Sequence, residues 1–345
     1  MARACAWAAG VAAALALLDL LGVPVFDWIR TLFKKVAEVP GWAVGAGIVL
    51  ETLQTVFAAL AWLAILRAAF PRAGVSFRLV LASYATAVAL NDFLPANLGT
   101  WVMLVMFASV IAGATFAAVF SGLVVQKIPF SVFNITLYIY LFLSVSGSFS
   151  IKLGFVSDHA ALLFVLVGGG IALLTILARI FWRRLAKLRA QLATGGAILR
   201  EPKTALIRLA LPELGSFLAR LGIIAVFLGA YGIPVTFHNV ASVSASNSVS
   251  NSVSVTPGGV GVTQAMNTAV LSDSTESGNA TAYSVSQQLI TSAWDVVFAV
   301  VLVSWVFGWS GGKQLVRTSY GEAKERSRDF TAERRSRRTE GAPKT

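Results

Sequence analysis

Residues 239–264 read NVASVSASNSVSNSVSVTPGGVGVTQ. Serine occupies every even position from Ser242 to Ser254, and a period of two ordinarily marks a strand. The stretch lies among long apolar segments, however, and a lone strand in hydrocarbon leaves its backbone groups unpaired. A helix of small residues meets that constraint. Its hydroxyls bond to neighbouring helices or to its own carbonyls, and Asn247 and Asn251, four residues apart, share one face. The run Pro257-Gly258-Gly259-Val260-Gly261 then breaks the helix. Only about ten residues follow before the acidic loop that holds Asp273 and Glu276, half of what a spanning helix needs.

Composition fixes the solvent. Of 345 residues, 57% are hydrophobic and 13% charged, with a mean hydropathy of +0.75. Soluble domains run near a quarter charged, so the bilayer is the medium that suits this chain. The net charge of +12 is concentrated in three places. These are Arg67, Arg72 and Arg78, then 179–208 with eight basic residues against Glu201, and the tail from Lys313 with ten basic against five acidic. Beside apolar spans such clusters mark cytoplasmic loops and attract anionic head groups; nucleic acid is not an expected partner. Cys5 is the sole cysteine, and His159 and His238 stand apart in sequence. No disulfide framework, metal site or cofactor is therefore expected.

Full spans are expected at about 6–23, 43–66, 130–148, 159–179, 209–230 and 284–309, with an interfacial helix over 24–42. The basic tail and the basic loop 179–208 lie inside, so 284–309 runs inward and 209–230 outward. The stretch 239–271 must then leave the outer face and return to it. The same parity applies to 79–125, between basic 67–78 and Gln126-Lys127 on the inner side. Its break is Asn91-Asp92-Phe93-Leu94-Pro95-Ala96-Asn97-Leu98-Gly99. Its first limb is too short to span, and its second, from Thr100, is long and bent or tilted. The fold expected is an all-α polytopic membrane protein: about six full transmembrane helices plus two opposed re-entrant helical hairpins, eight hydrophobic segments in all, resembling an inverted repeat. Residues 1–312 form the membrane domain and 313–345 a disordered basic cytoplasmic tail; both termini are cytoplasmic.

The paired motifs resemble a known family. The 91–99 element is similar to the "N-x-x-L-P-x-x-x-G" element of the lysylphosphatidylglycerol synthase transmembrane family, also called flippase-like domain proteins. Thr256 to Gln264 resembles that family's "P-G-G-x-G-x-x-E" element, over a likeness covering about 6–310. Here Gln264 replaces the usual acid, so a role that needs a carboxylate is not carried over. No soluble aminoacyl-transfer domain is expected after the membrane region. The resemblance implies translocation or handling of a lipid or lipid-linked substrate in the bacterial plasma membrane, with an anionic phospholipid or a lipid-linked carrier as partner. The residues it points to for substrate binding are Asn91, Asp92, Pro95, Asn97, Gly99, Pro257, Gly258, Gly259, Gly261 and Gln264.

The residues themselves agree with such a site. Glycines at 258, 259 and 261 let backbone approach a ligand or another helix, and helix ends at mid-bilayer offer free N–H groups to an anion. Tight packing of the tips against other helices is the alternative. Charges within spans are the second set of candidates: Glu51, Arg220 and Asp295, with Gln288 and Thr291 on the face of Asp295 that points toward the second hairpin. Intramembrane charges normally face the protein interior and pair. Arg220–Asp295 or Arg220–Glu51 is the structural pairing; a head-group-binding Arg220 or a proton-coupled carboxylate is the functional one. No convergent nucleophile or acid–base set and no nucleotide-binding motif is present, so an enzyme is not expected. A non-transporting scaffold, or a subunit of a lipid-modifying enzyme, is the other reading.

The topology is testable directly. In a Cys5→Ser background, cysteines placed at Ser274 and Gly321 should react from opposite sides of intact cells, Ser274 from outside. Cytoplasmic labelling of Ser274 would remove the parity on which the opposed hairpins rest.

Overall fold

The computed structural model describes residues 38–94, 97–145, 195–253, 259–308, 314 and 318–322. The expected spans 6–23 and 159–179, nearly all of the interfacial helix 24–42, most of the tail, and Pro95, Pro257 and Gly258 lie outside the described residues. Within them every regular element is helical. In chain order α1 is Gly41–Ala69, α2 Phe77–Phe93, α3 Leu98–Val110 and α4 Phe116–Val145. After a 3₁₀ turn over Ala197–Arg200 come α5 (Pro202–Ala230), α6 (Phe237–Val253), α7 (Val262–Val270) and α8 (Ser277–Phe307). Among these, α1, α5 and α8 and the Phe116–Phe142 part of α4 are long and apolar enough to cross a membrane. The serine-rich stretch is helical, as its need for internal hydrogen bonds requires.

Two boundaries differ from expectation. The limb after the first break does not run on toward Gln126. It stops at Val110, and a turn at 111–115 reverses the chain into α4. Gln126 and Lys127 consequently lie within α4 and not in a loop. Gln126 is buried, and its Nε2 donates to Glu213 Oε1 of α5 at 2.7 Å. A pair of polar residues reads as a loop from sequence, but an intramembrane helix keeps them once a partner satisfies them. The first limb is also longer than expected, 17 residues, starting at Ser76, whose hydroxyl caps it by accepting from the Leu79 N–H.

The most extensive packing is between α1 and α5. It is built on small residues that let large ones sit flat on the opposing backbone. The Phe227 ring covers Gly47, Leu50 covers Gly222 and Phe57 covers Gly215. Partner numbers fall as α1 numbers rise, so the helices are antiparallel. The α4 helix joins them through Gly122, which faces Trp62 and Ile65 of α1. The second large contact is α8 on α2, with Arg78 over the Trp305 ring at one end. A core of Trp62, Leu66, Val80, Ala85, Leu104 and Phe107 fills the space among α1, α2 and α3.

The α2–α3 pair closes on Gly99. A Cβ there would lie 2.2 Å from the Ala87 carbonyl oxygen and 2.8 Å from the Asn91 backbone nitrogen, and neither atom can swing aside. Gly99→Ala should lower the thermal unfolding midpoint in detergent, by the 1–3 kcal/mol or so typical of overpacking. Gly45→Ala meets nothing within 4 Å and should leave the midpoint unchanged or slightly raised.

Candidate functional site

The first break is held by a clasp. Asn91, in the last turn of α2, accepts the Thr100 backbone N–H on Oδ1 at 3.2 Å and donates from Nδ2 to Thr100 Oγ1 at 3.1 Å. One side chain thus ties the end of α2 to the start of α3 and satisfies an N–H that helix geometry leaves free. Gly99 provides the clearance for it. Asn97 opens α3 with φ of 53°, a left-handed conformation that Asn adopts more readily than most residues, and is exposed. Asp92 looks toward α8. The Ser292 hydroxyl lies within hydrogen-bonding reach of its carboxyl, and Asp92 Oδ2 is buried without a partner.

The second break uses glycine for its backbone. Gly259 and Gly261 have φ of 69° and 88°, values that side chains rarely tolerate. A Cβ on Gly261 would meet nothing within 4 Å, so conformation and not space requires glycine there. Gln264 completes the turn. Its Oε1 accepts the Gly261 N–H at 2.6 Å, reaching back across the helix start as the third residue of a capping box does. Its Nε2 donates to Gln288 Oε1 of α8, also at 2.6 Å. An amide both accepts and donates, which an ionised carboxylate cannot do; this is a structural use for Gln at this position. Further along, Asn267 donates to Asn247 Oδ1 and Ser284 Oγ, and Thr268 meets Thr281. A polar ladder therefore fastens α7 to α6 and α8.

The two breaks lean on one turn of a single helix. Gln288 receives the second and Ser292 faces the first, and four residues of helix span about 6 Å. Asp295, 5% exposed, follows on α8. It lies within electrostatic range of Glu51 on α1 and Asp92 on α2, and Glu51 is likewise in range of Asp92. Asp295 thus belongs with the first break and not, as expected, with the second; among the described residues Thr291 bonds to carbonyls of its own helix. Glu51 receives Gln54 Nε2 at 3.4 Å. Tyr84 faces Glu51, Asp295 and Glu213. Among the described residues no three Asp, Glu, His or Cys side chains are placed to hold a metal ion.

Arg220 is not part of that group. The expected Arg220–Asp295 and Arg220–Glu51 pairs do not form. The guanidinium donates from Nη2 to Ser244 Oγ at 2.8 Å and Asn134 Oδ1 at 3.1 Å, and stacks against the Phe130 and Phe217 rings. Its Nε is buried with no partner among the described residues. The physical reason is placement: Arg220 faces α4 and α6, whereas Glu51 and Asp295 face α2. Glu213, 3% exposed, has Gln126 donating to it and the Lys127 ammonium in range. Sequence reading passed over Glu213, Asn134 and Tyr84. Glu213 was within reach, because it precedes Arg220 by seven residues and so shares its helix face. Nothing local marks Tyr84 or Asn134.

The family model for the lysylphosphatidylglycerol synthase TM region matches residues 7–297. This chain belongs to that family. The family is a membrane domain associated with phospholipid handling, and the match takes in both broken pairs and their supporting helix. No curated protein and no solved structure matches the chain.

The segregation of charge has a measurable consequence. Breaking a buried ion pair costs about 3–5 kcal/mol, whereas removing one carboxylate from a group with no cation relieves repulsion. Asp295→Asn should therefore hold or raise the unfolding midpoint. Arg220→Ala should lower it by roughly 2 kcal/mol, since it strips charge-assisted bonds from Asn134 and Ser244. A marked loss of stability in Asp295→Asn would mean that Asp295 has a cationic partner.

Proposed function

We propose that this chain translocates, or hands on, a lipid or lipid-linked substrate across the bacterial plasma membrane. The two broken pairs act as opposed re-entrant hairpins, with both termini of the chain cytoplasmic. The polar head group is received where the breaks meet α8. What carries this reading is the convergence of the first break at Ser292 and the second at Gln288, one turn apart on a helix long enough to span. Non-helical backbone at membrane depth persists only where protein or a wet cavity satisfies it, and breaks of this kind are where transporters bind substrate. Membership of a phospholipid-handling family supports the substrate class. The motif residues divide the work: Asn91, Gly99, Gly261 and Gln264 shape and brace the two tips, while Asp92, Asn97 and the Gly259 backbone face the substrate. A substrate that carries both signs of charge would suit the site, with the acids Asp92, Glu51 and Asp295 on one side and Arg220 on the other.

Transbilayer movement of fluorescent phospholipid in reconstituted vesicles tests this. Gly259→Leu places bulk at a tip without adding charge and should reduce the rate to that of protein-free vesicles, while the protein still inserts and unfolds cooperatively. Deleting 313–345 should leave the rate unchanged. Full activity of Gly259→Leu together with loss on tail deletion would favour a scaffold that docks a partner through its basic tail.

A further inference from the structure

A cavity lies away from the broken tips, at the end of the molecule where the basic residues gather. It occupies about 580 Å³ between the C-terminal turns of α1 and the N-terminal turns of α5. Its lining is mixed: Leu63 and Ala64 from α1, Ile198 from the 3₁₀ turn and Ile207 from α5 are apolar, and Glu201 and Thr204 are polar. Two guanidinium groups stand on its lining, Arg67 and Arg208.

The backbone makes the opening. Pro212 has no N–H to give the Arg208 carbonyl, and its ring would clash there in a regular helix. The chain answers with a π-helical turn over Leu206–Ala210, a widening found mostly at functional sites. That turn leaves Leu206 and Ile207 66% and 62% exposed, and Leu211 follows at 60%. An apolar ridge therefore leads out of the cavity along α5.

The charges at its mouth are unbalanced. Arg67 spends its Nε on the Val75 carbonyl at 3.1 Å, and that is its one protein bond among the described residues, so its Nη groups are available. Arg208 has no protein partner among them. Glu201 also lines the cavity, but its carboxylate takes the Thr204 hydroxyl at 2.8 Å and pairs with neither arginine. Two exposed guanidiniums on a cleft with both polar and apolar walls, beside an apolar ridge on a helix long enough to span, match an amphiphile. The phosphate sits on the arginines, the glycerol enters the cavity and the chains follow the ridge into the bilayer. The volume falls in the range of ligand sites, roughly 300–1,000 Å³.

We propose that this cavity binds one anionic phospholipid of the inner leaflet, its phosphate held by Arg67 and Arg208. The site is separate from the breaks on α8, and its occupancy does not depend on whether the chain moves lipid.

Native mass spectrometry of the full chain in detergent, titrated with phosphatidylglycerol, tests the site. The wild type should retain one tightly held phosphatidylglycerol, with phosphatidylcholine bound more weakly. A basic residue at an anionic lipid surface is worth about fivefold in affinity, so Arg67→Gln with Arg208→Gln should weaken retention roughly thirtyfold. Arg72→Gln, a nearby exposed arginine that does not line the cavity, should change nothing. Ile207→Trp fills the cavity without altering charge and should also expel the lipid, which keeps the test decisive if the double variant fails to fold. Glycerol 3-phosphate alone should not compete at millimolar concentration. Retention of the lipid by the double variant or by Ile207→Trp, equal loss in Arg72→Gln, or displacement by glycerol 3-phosphate would each overturn the proposal. Because the readout is binding, it can fail while vesicle transport succeeds, and the reverse.

Discussion

Backbone that stops being helical in the middle of a packed helical bundle must find partners within the protein. That requirement governs this structure. Two helix pairs break in mid-course, each freeing N–H and carbonyl groups at the helix ends. The first break is sealed by the Asn91 clasp on Thr100, the second by Gln264 on the Gly261 N–H. Each then rests a polar side chain near the middle of α8, Gln264 on Gln288 and Asp92 toward Ser292. The helix α8 is thereby the common post for two elements far apart in sequence.

The charges follow the same geometry. Arg220 is solvated by an amide, a hydroxyl and two rings on the α4–α6 side. Glu51, Asp92 and Asp295 collect on the α2–α8 side with no cation beside them among the described residues. The two signs are thus held on separate sides of the helices that carry them. The rest of the bundle is held by close approach, not by charge. Glycines at 47, 215 and 222 admit the side chains of the facing helix between α1 and α5. The breaks can be polar and irregular because this neighbouring packing is apolar and regular.

Much of this was legible in the chain. Composition demanded a bilayer, and the long apolar stretches marked four of the helices able to cross it. Proline and glycine runs fixed where the helices stop, and the paired motifs named the family. Such features are local: a proline lacks its N–H and a glycine its Cβ wherever they stand, and an apolar stretch of given length has one solvent that suits it. Gln126 and Lys127 show the limit of local reading, since two polar residues resemble a loop until Glu213, 87 positions along, is known to meet one of them.

What only the tertiary structure decided was partnership. An intramembrane arginine and intramembrane acids suggest an ion pair from sequence, but pairing depends on which face each helix turns to which neighbour. Helix rotation in a bundle is set by the sum of many side-chain contacts, here by glycine against Phe227, Leu50 and Phe57. Those contacts turn Arg220 away from Glu51 and Asp295. The meeting of both breaks on one turn of α8 is of the same kind. Sequence placed Asn91 and Gln264 in separate halves of the chain, and only the packing of α2 and α7 against a shared helix brought those halves to one place.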